Sequence, residues 1–494
     1  MSNFIDRAIG FFSPLHGLRR HHMRQLLSRA YEGASKRDGW RPRRAGASAN
    51  ADHSHDAATL RARSRALTQN VPYMAAALRS LVANTIGTGI VPNWTGPESE
   101  KLNAAWSRWV KYADADGRLD YYGLQAAAYR AMEQDGEVLI RVRYRRPSDG
   151  FEVPLQLQLL EIDWLDSSRT GASERRGNTV VNGIEYDMLG KIAGYWLYEQ
   201  HPGDNNTVLR LRSASSKFYS ADQIIHLFTP ERPGQGRGFP RSAPVIARAR
   251  DLQVYEDAEQ ARKNLEARLS VLASGDVAQM AQPVGPRDER ENPDASQTRE
   301  LGSLAGGSII QVPAGVNMQV VEPKPAPGYV DTVKWNVHLI AAGYGVTYEM
   351  MTGDMTEVNF SSARVRGLDF RREVEMTQWL TVIPKQCDPV CELFRNACVL
   401  VGIVRRRDQV LDHTTPKWDY LNPEQDVRAD LAEVSGGFSS ISEKLRRRGY
   451  KPAAVFKELA DDITKLRELG LLDLLVMLQK GKPMDEPGAA PPAR

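Results

Sequence analysis

A chain of 494 residues exceeds what one ordinary compact core accommodates, so two or more structural regions are expected. Hydrophobic residues at 41% and charged residues at 26% match globular averages and exclude a mainly disordered or fibrous protein. Net charge is +4, but residues 1–66 hold 13 Lys/Arg against 5 Asp/Glu, a local +8 that leaves −4 for the rest, so the body lacks the basic bias of a protein that grips duplex DNA through its phosphates.

The chain opens on a short apolar stripe of Phe4, Ile5, Ala8, Ile9, Phe11 and Phe12, with Arg19 and Arg20 after it. A secretory signal has the opposite order, so the stripe reads as an amphipathic helix docked on a neighbouring surface and not as an export signal. Residues 1–56 form a basic arm, rich in Ser, Ala, Gly, Arg and His. Its Arg-rich stretch at 36–44 reads as solvated or partner-bound in preference to a nucleic-acid site. Helical periodicity starts at 57 and runs to about 84, broken where Pro72 is set to begin a second helix. The stretch 87–92 turns the chain, Trp106 and Trp109 share a further helix, and another covers 122–134.

Strands follow at 137–144, 155–161, 180–186, 192–197 and 224–228, rich in β-branched and aromatic residues and separated by Gly, Asp and Asn. This predicts an α+β region with an antiparallel sheet. The loop 229–240 contains Gly234, Gly236 and Gly238, but the spacing is not GxGxxG, and Pro233 and Pro240 oppose a phosphate-cradling turn. A long amphipathic helix is predicted at 242–272, then a turn-rich stretch to 306 and two short strands at 309–312 and 318–321. Helices are predicted at 329–344 and 361–404, the latter kinked or divided by Pro384 and Pro389, with an aperiodic segment at 346–360 between them. Tail helices are predicted at 422–434, 439–448 and 452–469, and 482–494 is Pro/Ala-rich and frayed. No apolar run reaches bilayer length, since 469–478 is interrupted by Gly470 and Asp473, so a soluble protein is expected.

Catalytic signatures are missing: no GxxxxGK[ST], HExxH or GxSxG occurs. The pairs His21/His22 and His53/His55 lack supporting ligands, His226 reads as a hydrogen-bonded core residue, and Glu161 with Asp163 has no acid/base context. Cys387, Cys391 and Cys398 fall on one helical stretch and read as buried thiols, without the spacing of a metal site or a disulfide framework. The expectation is a non-enzymatic protein with no cofactor and no metal.

One resemblance carries further. The run Leu339-Ile340-Ala341-Ala342-Gly343-Tyr344-Gly345-Val346-Thr347-Tyr348-Glu349, continued by Asn359-Phe360-Ser361-Ser362-Ala363-Arg364, resembles the most recognisable stretch of lambda-like phage portal proteins, in which a helix ends in a GxGV[ST]YE-like turn and a [YF]S[ST]AR-like sequence begins the next. Weaker matches at 70–73 with 87–90, 224–228 with Arg237-Gly238, and 423–450 keep the family's order, so the resemblance spans about 60–465.

It implies a portal fold: a wing at 57–241, a stem helix at 242–273, a clip at 274–328, a second stem helix at 329–345, a tunnel loop at 346–360, a long helix returning to the wing at 361–420, a helical crown at 421–480 and a disordered tail at 481–494. Such subunits form a ring, typically a dodecamer, at one capsid vertex of the virion after assembly in the host cytoplasm. The implied partners are double-stranded DNA contacted without regard to sequence, terminase, the major capsid protein, scaffold and head-completion or adaptor proteins, with no membrane. The implied DNA-facing residues are Met350, Met351, Thr352, Gly353, Asp354, Met355, Thr356, Glu357, Val358 and Asn359. The clip residues implied to dock terminase and adaptors are Arg287, Asp288, Glu289 and Arg290. The competing readings are another capsid-associated protein, an adaptor or minor head subunit, and a metal-dependent nucleic-acid-processing enzyme.

Overall fold

A computed structural model of the chain describes residues 46–175, 177–204, 215–267, 270–274, 317–321, 328–356, 360–418, 423–450 and 452–471. Expectations that fall on the basic arm before 46, on the clip residues 287–290, on the strand at 309–312, on Glu357, Val358 and Asn359, and on the tail after 471 lie outside the described residues. The chain divides into two compact units, 1–52 and 53–494. Apart from the first residues of α1, the second unit holds the elements that follow.

Helix α1 (Ala49–Asn70) ends where Val71 extends, and Pro72 starts α2 (Pro72–Thr85) at a position where its missing N–H costs nothing. Strand β1 (Val91–Thr95) precedes α3 (Ser99–Trp109), and α4 (Tyr121–Asp135) is capped by Asp120, whose carboxylate accepts from Gly123 N at 2.7 Å. Buried Gln125 on α4 bonds both the N–H and the carbonyl of Ile90, at 2.9 and 3.1 Å, so the turn before β1 is satisfied internally. Trp94, Trp106, Trp109, Tyr121 and Phe394 stack with centroids 4.8 to 5.8 Å apart, the aromatic centre of the main core.

Strands β2 (Glu137–Tyr144) and β3 (Leu155–Glu161) have the bounds the sequence predicts. With β9 (Ile224–Phe228) they form an antiparallel sheet in the order β3-β2-β9. Strand alternation makes β2 a divider. Val138, Ile140 and Val142 join the main core, while Leu139 enters a second, smaller core with Leu160, Leu165, Ile184, Tyr195 and Leu197. That second core backs a five-stranded antiparallel sheet of β4 (Gly171–Ala172), β5 (Thr179–Val181), β6 (Ile184–Tyr186), β7 (Ile192–Tyr198) and β8 (Ser216–Ser220). The single strand predicted at 180–186 is two strands joined at Asn182-Gly183. Both residues have positive φ, 50° and 83°, as the tightest hairpin turns require.

Gly136 and Gly238 lie where two backbones touch. A Cβ on Gly238 would overlap the Gly136 carbonyl oxygen, and one on Gly136 would overlap the Phe239 carbonyl carbon. The Gly238 end of the loop 229–240 therefore seals the start of β2.

Helix α5 (Ile246–Ala267) is shorter than predicted because β10 (Ser270–Ser274) follows it and pairs with β11 (Asn317–Val321). Helix α6 (Tyr329–Tyr344) packs on α5, and α7 (Tyr348–Thr352), within the segment read as aperiodic, packs on α2. The predicted long helix begins as α8 (Phe360–Thr377), widens into a π-helical stretch (Gln378–Cys387) around Pro384, and resumes as α9 (Asp388–Leu400) with Pro389 in its first turn. Proline lacks the N–H that an α-turn needs, and the wider turn absorbs the mismatch without ending the helix. Strand β12 (Val410–Thr414) returns to pair with β1, a pairing that has no local signature in either segment. Helices α10 (Pro423–Ser435), α11 (Ile441–Arg447) and α12 (Pro452–Glu468) complete the described chain.

Candidate functional site

The turn from α6 to α8 holds the residues that the sequence singles out. Gly345 ends α6 in the left-handed region, φ 78°, and its amide donates to the Ala341 carbonyl at 3.0 Å. The position admits glycine for a second reason: an added Cβ would overlap Arg241 Nη2 and lie 2.7 Å from Glu373 Oε1. Thr347 then caps α7, its hydroxyl accepting from Met350 N at 3.3 Å, and Tyr348 stacks on His338 of α6 with centroids 4.1 Å apart. Glu349 accepts from Arg366 of α8 at 2.7 Å.

Beyond α7 the chain turns on itself. Gly353, φ 74°, ends the helix. Thr352 Oγ1 donates to the Tyr348 carbonyl at 2.9 Å and accepts from Asp354 N at 3.1 Å. Asp354 accepts from Thr356 N, Thr356 Oγ1 and Tyr348 OH, at 3.0, 2.7 and 3.3 Å. The backbone bond from Thr356 is the main reason its carboxyl lies below the ordinary range, so it is a carboxylate at neutral pH.

The three methionines separate. Met351 is buried and Met350 is half-buried against the core, both holding α7 to the body, while Met355 is 67% exposed. Thr352, Gly353 and Thr356 are also exposed. The exposed part of the loop is thus polar and flexible-sided at its surface and hydrogen-bonded beneath it.

Arg241, just ahead of α5, is the residue that sequence reasoning missed. Its Nε donates to the Tyr344 carbonyl at 2.6 Å, its Nη1 to Glu133 of α4 at 3.4 Å, and its Nη2 to Glu373 of α8. No local pattern links these positions; the only sequence signal is Gly345, which a positive φ alone would already explain.

Two other polar clusters are present. Glu137, fully buried at the start of β2, takes a bidentate contact from Arg237 at 2.7 to 2.9 Å, Nε2 of His226 at 2.9 Å and Nε2 of His53 at 3.3 Å. Burial works against its charge, but the Arg237 guanidinium and the two histidines overcome this and hold its pKa well below the usual range. His226, read from the sequence as a bonded core residue, is that. Glu161, Asp163 and His201 bring ligand atoms within 4.8 Å of one another. Arg65 and Arg61 contact Asp163 at 2.6 and 3.2 Å, so that carboxylate is already neutralised and the group is an ion-pair network. Cys387, Cys391 and Cys398 are free and buried, and burial pushes their thiol pKa values up, that of Cys398 to about 12. No helix among the described residues is long and apolar enough to cross a membrane.

Residues 34–378 match the family described as phage portal protein, lambda family. The chain is 28% identical over 451 residues to a probable portal protein of Halomonas phage phiHAP-1, covering 85% of this chain and 83% of the relative. Among solved structures, the neck of a native gene transfer agent particle computed with C12 symmetry aligns with a TM-score of 0.43 at 15% identity, over 80% of this chain and 94% of that one. The virion of a native gene transfer agent particle aligns with the same TM-score and coverage at 16% identity.

Proposed function

The chain belongs to the lambda family of phage portal proteins, and from that premise we propose that twelve copies close into a ring-shaped channel at one capsid vertex, through which double-stranded DNA is packaged and ejected. The observation that carries the ring is the surface of α6. Trp335 is 65% and Val330 70% exposed, and Leu339, one turn beyond Trp335, is exposed too. Trp335 and Leu339 share one face and Val330 stands apart from them near the start of the helix. Large apolar side chains left exposed in this way are costly in water unless neighbours cover them, and a head-to-tail contact repeated around an axis covers them in every copy.

In this reading the exposed tip of the turn, Thr352 to Thr356, lines the channel together with Glu357, Val358 and Asn359. Met355 and short hydroxyls touch a passing duplex without fixed bonds to base edges, so contact is independent of sequence. Met350 and Met351 serve as anchors. A near-neutral body suits a channel that must let DNA slide, since phosphate neutralisation would hold it. The clip, with Arg287, Asp288, Glu289 and Arg290, docks terminase and later the head-completion or adaptor proteins, while the wing meets the major capsid protein and scaffold. The protein acts in the virion as a structural component and catalyses nothing; packaging energy comes from the separate motor.

Light scattering on the purified chain, with end-on electron micrographs, tests the ring. A large closed assembly with a central hole is expected, and Trp335→Asp should reduce its yield sharply. A wild-type protein that stays monomeric at every concentration would overturn the reading.

A further inference from the structure

We propose that Arg241 is the positioning residue of the loop after α7, with Glu133 as its permanent partner and Glu373 as its exchangeable one. The three guanidinium nitrogens serve three different elements: Nε the last carbonyl of α6, Nη1 the Glu133 carboxylate of α4, and Nη2 the Glu373 carboxylate of α8. Tyr344 ends the helix before the turn and Glu373 stands in the later part of the helix after it, so one planar group ties both flanking helices to α4. Gly345 lies directly beneath the Arg241–Glu373 pair, with no room for a Cβ. The glycine that turns the chain thus also seats the ion pair.

Arg241 itself is held at its root. Its backbone N–H donates to the Glu133 carbonyl at 3.0 Å, and the next residue, Ser242, bonds Ser64 of α1 through their hydroxyls at 2.7 Å. The guanidinium therefore cannot follow α6 or α8 if either moves; a contact must break instead. The two carboxylates differ in which one yields. The Glu133 side chain is 5% exposed, and separating it from Arg241 would strand a buried charge, whereas Glu373 is 41% exposed and water can replace the arginine. A shift of α8 breaks the Glu373 contact first, releasing α8 from the Arg241 node while the end of α6 stays tied and Glu349–Arg366 remains as the other link between α7 and α8. That this loosening changes how DNA is held rests on the reading of the loop given above; the coupling itself does not.

The test uses the full-length assembled protein with a nitroxide label on Met355→Cys. Only this thiol should react, because the three native cysteines are buried with raised pKa values. With Arg241 intact the label should report a loop held in one restricted environment. Glu373→Gln should raise the mobile fraction several-fold, Arg241→Met should raise it further, and Arg241→Lys should fall between, since one ammonium cannot reach three acceptors on different elements. Arg65→Met, which removes an arginine from the Asp135–Asp163 network elsewhere, should leave the spectrum unchanged. If Arg241→Met fails to fold, Glu373→Gln decides, because that side chain is partly solvated. Unchanged spectra in the folded Arg241 and Glu373 variants, or equal loosening by Arg65→Met, would overturn the proposal. Whether DNA in filled heads shields the label tests the DNA-facing reading separately and leaves this result standing either way.

Discussion

Arg237 and Arg241 stand on one short segment and both hold carboxylates, yet they make different joints. The Arg237 side chain is 2% exposed and its partner Glu137 is fully buried, with the histidines and the Gly238 amide filling the remaining positions around that carboxylate. Arg241 is 22% exposed and one of its partners reaches water. Chemistry of one kind thus yields a lock in the first case and a latch in the second. What differs is whether solvent can take over when a contact opens.

The largest effect expected from this contrast is in stability. Glu137→Ala leaves Arg237 buried without its counter-charge and should cost about 3–5 kcal/mol. Glu373→Ala leaves Arg241 with Glu133 and a carbonyl and should cost under about 1 kcal/mol. Urea denaturation of the two variants measures both. Comparable losses would mean that the Arg241 node is as rigid as the Arg237 node, and the distinction between them would fall.

These two nodes also mark how far the sequence could be read. Periodicity is local, so β2, β3 and β9 were legible to the residue, Pro72 announced a helix start, and Pro384 and Pro389 announced a kinked or divided helix, though not that Pro389 would stand in the first turn of α9. The Asn182-Gly183 signal was present too, but a run of β-branched residues on both sides masked it. Pairings between distant segments left no local trace: β1 with β12, β10 with β11, and Arg241 with Glu133, Tyr344 and Glu373 depend on tertiary packing. The same limit explains the segment at 346–360. Helix α7 is too short to show a period, and its stability comes from the Thr347 cap and from Met351 buried in the core, not from propensity. Burial of Met350 and Met351 could not be told from exposure in a sequence that sets three methionines among polar residues.

Acid should discriminate the two nodes next. His226 donates from Nε2 to Glu137, while its Nδ1 has no hydrogen-bond partner. Burial lowers its pKa; the contact with Glu137 offsets this only in part, and Arg237 and Lys385 add to the lowering. An unfolded histidine binds its proton near pH 6.5, whereas the folded one does so only at lower pH. The unfolded chain therefore holds more protons in that interval, and this stabilising contribution, complete above about pH 6.5, is lost as pH falls to the folded pKa. Glu137, also lowered, extends the loss below the ordinary glutamate range. Glu133 and Asp135 act with the opposite sign, since burial raises both, so their contributions fade as pH rises. Comparing wild type with His226→Gln isolates the histidine: the wild type should lose more stability than the variant between about pH 6.5 and 5. Parallel curves would remove His226 from the account.

The smallest expected effect is the most local, and it concerns the tip beyond the latch. Asp354 accepts from the amide and hydroxyl of Thr356 and from Tyr348 OH, and Tyr348 in turn stacks on His338. These bonds shape the turn but bury nothing, because Asp354 sits at the surface and the core contacts of α7 come from Met351, with Met350 and the Tyr348 ring packed against the core. Asp354→Ala should accordingly leave the melting temperature and the assembly unchanged while accelerating proteolytic cleavage between Gly353 and Phe360. Asp354→Asn, which keeps an acceptor for the Thr356 amide, should restore most of the protection. A fall in melting temperature with no change in cleavage would show that the turn is part of the cooperative core, and the tip would then belong with the Arg237 lock and not with the Arg241 latch.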